Sequence, residues 1–355
     1  MSVSYQAVGW NRQKKIYDGV LVGGVLLYLA LFIGAGFALH PEATAETMII
    51  RAFGTAALVL LHIVLSIGPL CRLDARFLPL LYNRRHLGVT MFLLGLVHGG
   101  FSMLQFHSLG DANPLVSALT SDGRYNSLSA FPFQPFGVVA LFILFLMAAT
   151  SHDFWLANLS APVWKSLHML VYVAYVLVLA HVGFGILQDE SNPLFFVLWI
   201  LGAVGIVGLH LAAALKESKG DAEAPANDGW VDVCAVDDIR PQRGKVVTVA
   251  SERVAVFRYD GKISAMSNVC QHQNGPLGEG KVVDGFVVCP WHGFQYKPDC
   301  GASPEPFTEK IPTFEVRIVD ERIEVNTQPL PPGTRVEPAI IPNDLATSGE
   351  ASHGG

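Results

Sequence analysis

The chain has 355 residues, of which 51% are hydrophobic and only 15% are charged, well below the roughly 25% charged residues of an average soluble protein. Its net charge of −6, without a basic tract, gives no sign of nucleic-acid binding and argues against that class of function. Long uncharged runs occupy the sequence before residue 216, and a polar sequence follows. The composition therefore predicts a membrane part followed by a soluble part.

Six apolar segments follow a polar N-terminal tail at residues 1–18. Most have about 17 to 23 residues without an acid, Lys or Arg, which is enough for a helix to cross a hydrocarbon core of roughly 30 Å. The fourth segment is the shortest. The segments are 19–39, 50–70, 87–109, 135–151, 166–187 and 193–215. The sequence predicts a six-helix transmembrane bundle over residues 19–215.

Lysine and arginine residues near the ends of these segments predict the orientation in the membrane. Ten of them lie on the side of the N-terminus, and only Arg51 and Arg124 lie on the other side. Because positive charge marks the cytoplasmic side, we expect the N-terminus in the cytoplasm, and six crossings return the C-terminal part to the same side. The expected location is a bacterial-type inner membrane.

The sequence after the last apolar segment has the features of a small β domain. A polar linker, residues 216–228, leads to short alternating or β-branched runs. Turn signals, including Asp260-Gly261 and Asp284-Gly285, separate these runs. They predict an antiparallel β domain over residues 229–326. Residues 327–355 are rich in Pro, Gly, Ser and Asn and are predicted to be a flexible tail.

Two short Cys-His motifs in the predicted β domain offer two thiolates and two imidazoles to one inorganic centre. The motifs are Cys270-Gln271-His272 and, after sixteen residues, Cys289-Pro290-Trp291-His292. Zinc could take such a Cys2His2 set in a tetrahedral site, but the order of the ligands differs from the usual zinc spacing. The order fits better a two-iron cluster in which one iron takes both cysteines and the other both histidines.

This pattern resembles the Rieske [2Fe–2S] family from about residue 229 to residue 325. The resemblance implies that Cys270, His272, Cys289 and His292 are the cluster ligands. Respiratory Rieske proteins carry an additional disulfide and a serine hydroxyl near the cluster, whereas this chain has Phe294 at the serine position and retains a phenol at Tyr296. Since fewer hydrogen bonds stabilise the reduced cluster less, we expect a potential toward the low end of the Rieske range of about −150 to +300 mV.

Histidines recur in the apolar segments, although an imidazole is expensive to bury in lipid unless it faces the bundle interior. Two histidines from neighbouring helices could ligate one haem iron. By depth, His98 and His181 form the expected pair for an outer haem. His168, thirteen residues and roughly 20 Å from His181 along one helix, is expected to bind an inner haem with His86 or His62 as its partner. Nearby positive charges could neutralise haem propionates, or mark only the cytoplasmic side; they are Arg84, Arg85 and Lys165.

The runs RRHLGVTMFLLGLVH (84–98) and WKSLHMLVYVAYVLVLAH (164–181) resemble the ferric reductase-like transmembrane family, over roughly residues 20–215. The resemblance implies that His98, His168 and His181 are ligands of b-type haem. His86 lies twelve residues before His98, whereas family members with two histidines on this helix space them by thirteen or fourteen. The Rieske-like domain stands where the flavocytochrome members have their FAD- and NAD(P)H-binding domains.

Together the resemblances imply a membrane electron-transfer protein, an oxidoreductase component without a hydrolase or transferase site. It would carry one [2Fe–2S] cluster and one or two haem b groups. A soluble flavin reductase or a ferredoxin would reduce the cluster, and electrons would leave toward a periplasmic or quinone acceptor. The alternative is a membrane-anchored Rieske redox sensor or assembly subunit without haem. A lipid oxygenase would need a mononuclear iron site with two histidines and a carboxylate, for which the soluble part has no room.

Overall fold

The computed structural model describes residues 12–120, 125–127, 131–151, 155, 159, 161–189, 192–220, 228–250, 252–272, 275–290 and 293–342. They fall into two compact units, one ending at Ala213 and the other beginning at Ala214. The first unit is helical and the second is built of β-strands, which confirms the predicted order of an apolar helical part and an all-β domain.

The described part of the helical unit contains long helices and a few short ones. The helices are α1 (Arg12–Leu39), α2 (Ala45–Leu73), α3 (Arg84–His107), α4 (Pro114–Thr120), α5 (Gln134–Ala149), α6 (Ala161–Phe184), α7 (Ile186–Asp189) and α8 (Pro193–Gly220), the last of which continues into the second unit. A 3-10 helix, Ala75–Asn83, joins α2 to α3. Residues 12–18, predicted as part of a polar tail, are helical and begin α1.

Five of these helices, α1, α2, α3, α6 and α8, are long and apolar enough to cross a membrane. The fourth predicted segment corresponds to α5, an apolar helix of 16 residues. At 1.5 Å per residue it measures about 24 Å, less than the roughly 30 Å of a hydrocarbon core. The chain is thus a multi-pass membrane protein, and the crossing by α5 stays a prediction.

Helix α2 begins five residues before the apolar segment predicted for it. Thr44 caps the helix, because its hydroxyl oxygen accepts a hydrogen bond from the Thr47 backbone nitrogen at 3.2 Å. Glu46 in the first turn complements the helix dipole. A polar first turn therefore extends the helix beyond its apolar run.

The core of the helical unit lies between α2, α3, α5, α6 and α8 and contains Leu61, Leu94, Leu144, Ala174 and Ile206. Large apolar side chains also point outward, such as Leu27 of α1 and Leu201 of α8, which are 61% and 60% exposed. A helix that is apolar on both its inner and outer faces is suited to a lipid environment.

The β unit has two antiparallel sheets. The strands are β1 (Trp230–Ala235), β2 (Arg243–Val249), β3 (Glu252–Tyr259), β4 (Lys262–Ser267), β5 (Lys281–Val283), β6 (Phe286–Val288), β7 (Gln295–Tyr296), β8 (Thr313–Phe314), β9 (Val316–Val319), β10 (Arg322–Asn326) and β11 (Ala339–Ile340). One sheet has the order β1-β10-β9, and the other β11-β4-β3-β2-β5-β6-β7, with β8 also paired to β4. The predicted turns Asp260-Gly261 and Asp284-Gly285 join β3 to β4 and β5 to β6, and all four residues have positive φ, as two-residue hairpins require.

Residues 327–342, predicted to belong to a flexible tail, instead pack on the β unit. Strand β11 extends the large sheet by pairing with β4. The Thr313 hydroxyl donates to the Thr334 carbonyl at 3.0 Å, and the Val336 backbone nitrogen donates to the Asp299 carbonyl at 2.7 Å. Ile341 is only 4% exposed. The prediction from composition is wrong for this stretch because a few apolar and β-branched residues find an open sheet edge; residues 343–355 lie outside the described part.

Candidate cofactor sites

The first Cys-His motif lies in a loop after β4 that backbone hydrogen bonds close. The Cys270 backbone nitrogen donates to the Gly275 carbonyl at 3.0 Å. The side-chain oxygen of Asn268 accepts from the Gly278 backbone nitrogen at 2.8 Å and ties the two ends of the loop together. Cys270 is 1% exposed and His272 is half-buried. The loop thus presents a buried sulfur and a more accessible imidazole two positions apart in one turn.

The second motif follows β6. The Cys289 backbone nitrogen donates to the Phe294 carbonyl at 2.8 Å, and the Gly293 backbone nitrogen donates to the Cys289 carbonyl at 3.0 Å. Gly293 has a φ of 75°, a conformation that glycine adopts without steric cost and that lets the chain turn back sharply. Trp291 and His292 lie outside the described residues, so the assignment of His292 as a ligand stays a prediction.

Tyr296 connects the two motifs. Its phenol oxygen accepts a hydrogen bond from the Gln271 backbone nitrogen at 2.9 Å and lies 3.5 Å from the Cys270 sulfur. Burial, followed by the negative charge of the Cys270 sulfur, raises the pKa of the Tyr296 phenol far above its ordinary value. The phenol therefore keeps its proton and can donate it to the sulfur of a cysteine ligand.

Aromatic rings cover the side of His272. The Phe294 ring stacks on the imidazole with centroids 5.1 Å apart and an angle of 6° between the planes. Phe307 packs edge-on against Phe294 with centroids 5.1 Å apart. Since Phe294 is 2% exposed, this wall fixes the imidazole plane and keeps water from one of its faces.

The donor types present fit an iron–sulfur cluster of mixed ligation. Cys270 and Cys289 belong to one buried group that includes Phe294 and Tyr296, and the charges of both cysteines act on the Tyr296 phenol. Among the described residues there is no group of three His, Cys, Asp or Glu side chains arranged around one metal ion. A two-iron cluster of this type takes only two protein ligands per iron, so Cys270, Cys289 and His272 could hold such a cluster together with a fourth ligand.

In the membrane helices, the structure brings His98 of α3 and His181 of α6 together. Their ring centroids are 6.1 Å apart and their planes meet at 83°. Nδ1 of His98 donates to the Ile50 carbonyl at 2.9 Å, and Nδ1 of His181 donates to the Phe133 carbonyl at 3.0 Å. Because a carbonyl oxygen can only accept, each Nδ1 carries the proton, and in the neutral ring Nε2 is left with a lone pair.

This spacing fits one metal ion between the two imidazoles. Bonds between a metal and an imidazole nitrogen are about 2 Å long, and the ring centre lies roughly 1 Å further on, so two axial imidazoles place their centres roughly 6 Å apart. The observed separation of the His98 and His181 centroids is 6.1 Å. Hydrogen bonds from Nδ1 to backbone carbonyls are also typical of metal-binding histidines.

His168 has different neighbours. Its Nδ1 donates to the Trp164 carbonyl of the same helix at 3.0 Å, and its ring stacks on the Trp164 indole with centroids 3.8 Å apart. Its Nε2 lies 3.4 Å from the Ser151 hydroxyl. In the described part of the chain, no second imidazole is in ring contact with His168. The guanidinium of Arg85 donates to the Ser151 carbonyl at 3.1 Å, and the charge of Arg84 acts on His168, so this site is electropositive.

The two histidines considered as partners for His168 have hydrogen-bonding partners elsewhere. Nε2 of His62 accepts from the Tyr175 hydroxyl at 3.0 Å, since Nδ1 of His62 donates to the Leu58 carbonyl at 2.9 Å. Nδ1 of His86 lies 2.9 Å from a carboxylate oxygen of Asp18. The sequence does not predict that Tyr175 bonds to His62 or Asp18 to His86, because contacts between different helices depend on how the helices are rotated against each other.

Comparison with known proteins shows two separate similarities. The family model of the Rieske [2Fe-2S] domain matches residues 229–315, and that of the ferric reductase like transmembrane component matches residues 52–179. The ferredoxin component of the alkene monooxygenase system of Xanthobacter autotrophicus is 31% identical over 103 residues, which cover 29% of this chain and 84% of that protein. The anthranilate 1,2-dioxygenase ferredoxin subunit of Burkholderia cepacia is 34% identical over 98 residues, which cover 27% of this chain and 91% of that subunit. The protein-methionine-sulfoxide reductase heme-binding subunit MsrQ of Deinococcus radiodurans is 30% identical over 204 residues, which cover 56% of this chain and 91% of that subunit.

Proposed function

We propose that the chain passes electrons between a Rieske cluster and transmembrane b-type haem. Its C-terminal domain belongs to the Rieske [2Fe-2S] family, and its membrane helices belong to the ferric reductase-like transmembrane family. It is a membrane electron-transfer protein built from these two parts. We assign the cluster to Cys270, His272, Cys289 and His292, and one haem to His98 and His181. The observation that carries the haem assignment is the 6.1 Å separation of the His98 and His181 rings.

When bound, the cluster and the haem supply one-electron chemistry, and the protein supplies binding, orientation and electrostatics. Ile50 and Phe133 hold the protons of His98 and His181 on Nδ1 through their carbonyl oxygens. In the Rieske domain, Tyr296 offers its phenol proton to the Cys270 sulfur, which stabilises additional negative charge there. These side chains and carbonyls set the potentials between which electrons move.

An inner haem is assigned to His168. Thirteen residues separate His168 from His181 on α6, which corresponds to roughly 20 Å along the helix and thus to a second level in the membrane. The positive charges of Arg84 and Arg85 near His168 suit the propionates of a haem. We treat His62 and His86 as hydrogen-bonding residues, because Tyr175 and Asp18 already engage them.

The direction of transfer is proposed from the charge pattern. The excess of Lys and Arg at one end of the helices supports a cytoplasmic N-terminus and a cytoplasmic Rieske domain in a bacterial-type inner membrane. A soluble flavin reductase or a ferredoxin would then reduce the cluster by one electron at a time. On the opposite side, His181 is three residues from the end of α6, so electrons would leave there for a periplasmic partner or a quinone.

The proposal is tested by purification of the whole chain in detergent, followed by a haem assay, optical spectra and EPR of the reduced sample. We expect b-type bands together with a Rieske signal. His98→Ala and His181→Ala should lose the outer haem, whereas His210→Ala, a histidine of α8 that bonds to Tyr172, should retain it. A protein without haem would support the sensor or assembly role instead, and zinc in place of the Rieske signal would disprove the cluster assignment.

A further inference from the structure

A glycine on the neighbouring helix lies directly against each imidazole of the His98–His181 pair. A Cβ atom added to Gly54 of α2 would lie 2.7 Å from Nδ1 of His98, and one added to Gly137 of α5 would lie 2.7 Å from Nδ1 of His181. Contacts shorter than 3.0 Å are essentially never made by real Cβ atoms. Each imidazole therefore occupies the volume that any other side chain at these two positions would need.

The same two segments also supply the acceptors of the imidazole hydrogen bonds. The carbonyl bonded to His98 belongs to Ile50, four residues before Gly54, and the carbonyl bonded to His181 belongs to Phe133, four residues before Gly137. In an α-helix a side chain leans toward the N-terminus and covers the turn before its own Cα. A side chain at the glycine would thus cover the carbonyl four residues earlier, and glycine leaves that oxygen accessible to a histidine from another helix.

This arrangement distinguishes the pair from the other histidines of the described spans. Nδ1 of His62, His168 and His210 bonds to the carbonyl four residues earlier on its own helix. A Cβ atom added to Gly202 of α8 would likewise lie 2.7 Å from Nε2 of His62, but the carbonyl that His62 uses belongs to Leu58 of α2 itself. His98 and His181 instead bond to a carbonyl outside their own helix, four residues before a glycine that packs against the imidazole.

From these contacts we infer that Ile50 with Gly54, and Phe133 with Gly137, are positioning elements that fix the planes of the two haem-ligating imidazoles nearly perpendicular to each other. The inference rests on the proposed function, since it assumes haem between His98 and His181. Each imidazole is held at its Nδ1 by one carbonyl and has no freedom to rotate into the glycine. The 83° angle between the planes is therefore set by the backbones of α2 and α5.

The angle between two axial imidazoles has a spectroscopic consequence. Perpendicular planes leave the two iron orbitals that interact with the imidazoles nearly equal in energy, whereas parallel planes separate them. A low-spin ferric haem with perpendicular ligands therefore gives a strongly anisotropic EPR signal. We expect this signal from the oxidised wild-type protein, and a less anisotropic one when either imidazole is turned.

The test compares Gly54→Ala and Gly137→Ala with two matched controls, Gly88→Ala on α3 and Gly205→Ala on α8, where an added Cβ meets nothing within 4 Å. The first two variants should bind haem roughly 10- to 100-fold more weakly, the usual effect of removing a partner of a metal-ligating histidine, and any haem retained should have a less anisotropic signal. The controls should resemble the wild type. The Rieske signal of the same chain serves as an internal standard for intact protein.

Unchanged haem content and an unchanged signal in Gly54→Ala and Gly137→Ala would overturn the inference. So would a wild-type protein that contains haem but lacks the strongly anisotropic signal, and this measurement needs no variant to fold. Failure of the proposed function is recognised separately, because the wild-type protein would then contain no haem, or His98→Ala and His181→Ala would retain its full haem content. If those two variants lose haem and the glycine variants match their controls, only the positioning role is disproved.

Discussion

The phenol oxygen of Tyr296 lies 3.5 Å from the sulfur of Cys270, a proposed cluster ligand, and accepts a hydrogen bond from the backbone nitrogen of the next residue, Gln271. Because its acceptor site is used by Gln271, the phenol is oriented to donate its proton to the sulfur. A reduced cluster carries more negative charge than an oxidised one, so this hydrogen bond is stronger in the reduced state.

Replacing Tyr296 by Phe should lower the reduction potential of the cluster. A hydrogen bond to a charged group contributes about 1.5–3 kcal/mol, and only the difference between oxidation states changes the potential. We expect a decrease of several tens of millivolts, on the order of the 59 mV that equals a tenfold change for one electron. An EPR-monitored redox titration measures it. Tyr259→Phe is the control, since Tyr259 bonds to Ser264 at 2.9 Å; equal potentials in the two variants would contradict the prediction.

The wild-type cluster should have a midpoint toward the low end of the Rieske range. At position 294, beside the second motif, a phenylalanine stacks on His272 and donates no hydrogen bond from its side chain to the cluster. The Tyr296 hydroxyl therefore stabilises the reduced cluster without help from a second hydroxyl at position 294. A redox titration of the detergent-solubilised chain that gives a midpoint above about +200 mV would show that this reasoning is wrong.

Sequence patterns identify the chemistry of the sites but not the contacts that support them. Cys270, His272 and Cys289 are recognisable because rare residue types recur at short spacing, and His98 and His181 because polar residues are unusual in an apolar run. No sequence pattern predicts the roles of the Ile50 carbonyl and of Gly54, since every residue has a carbonyl and many transmembrane glycines pack against lipid. Which glycine faces a histidine depends on how the helices rotate, and that is decided by packing of the whole bundle.

His62→Ala should retain the haem content of the wild type, because the Nε2 atom of His62 is engaged by the Tyr175 hydroxyl. The variant should instead lose stability, by about 0.6 kcal/mol as for an average hydrogen bond between membrane helices, with a further loss from the space left beside Gly202. Tyr175→Phe removes the hydroxyl alone and should lose the smaller amount. The ratio of haem to [2Fe–2S] cluster measures the haem content, and the thermal midpoint of the purified protein measures the stability. Loss of haem from His62→Ala would identify His62 as a haem ligand.

Cys234 should make the stability of the Rieske domain depend on pH in alkaline solution. Burial raises the pKa of this thiol to about 11 from an ordinary value of 9.0. Since the folded-state pKa is the higher one, folding favours the protonated thiol, and its contribution is fully present below pH 9 and is lost as the pH rises toward 11. Thermal loss of the visible circular dichroism of the cluster, compared between wild type and Cys234→Ala at each pH, measures it. We expect the difference between the two proteins to shrink above pH 9; a constant difference would exclude this role.

Removing residues 327–355 should destabilise the Rieske domain, although composition alone marks them as a tail. The truncation removes β11, opens the edge of β4, and exposes the neighbours of Ile341, whose side chain is 4% exposed. Burial of one isoleucine contributes about 1.5–3 kcal/mol, and each kcal/mol shifts the melting temperature of a domain of about 100 residues by roughly 4–8 °C. The chain ending at Asn326 should therefore lose its cluster signal at a temperature about 10 °C lower than wild type. The chain ending at Pro342 retains every contact described for this segment, so its melting temperature should not change. Equal melting temperatures for the two truncated chains would mean that β11 adds nothing to the sheet it extends.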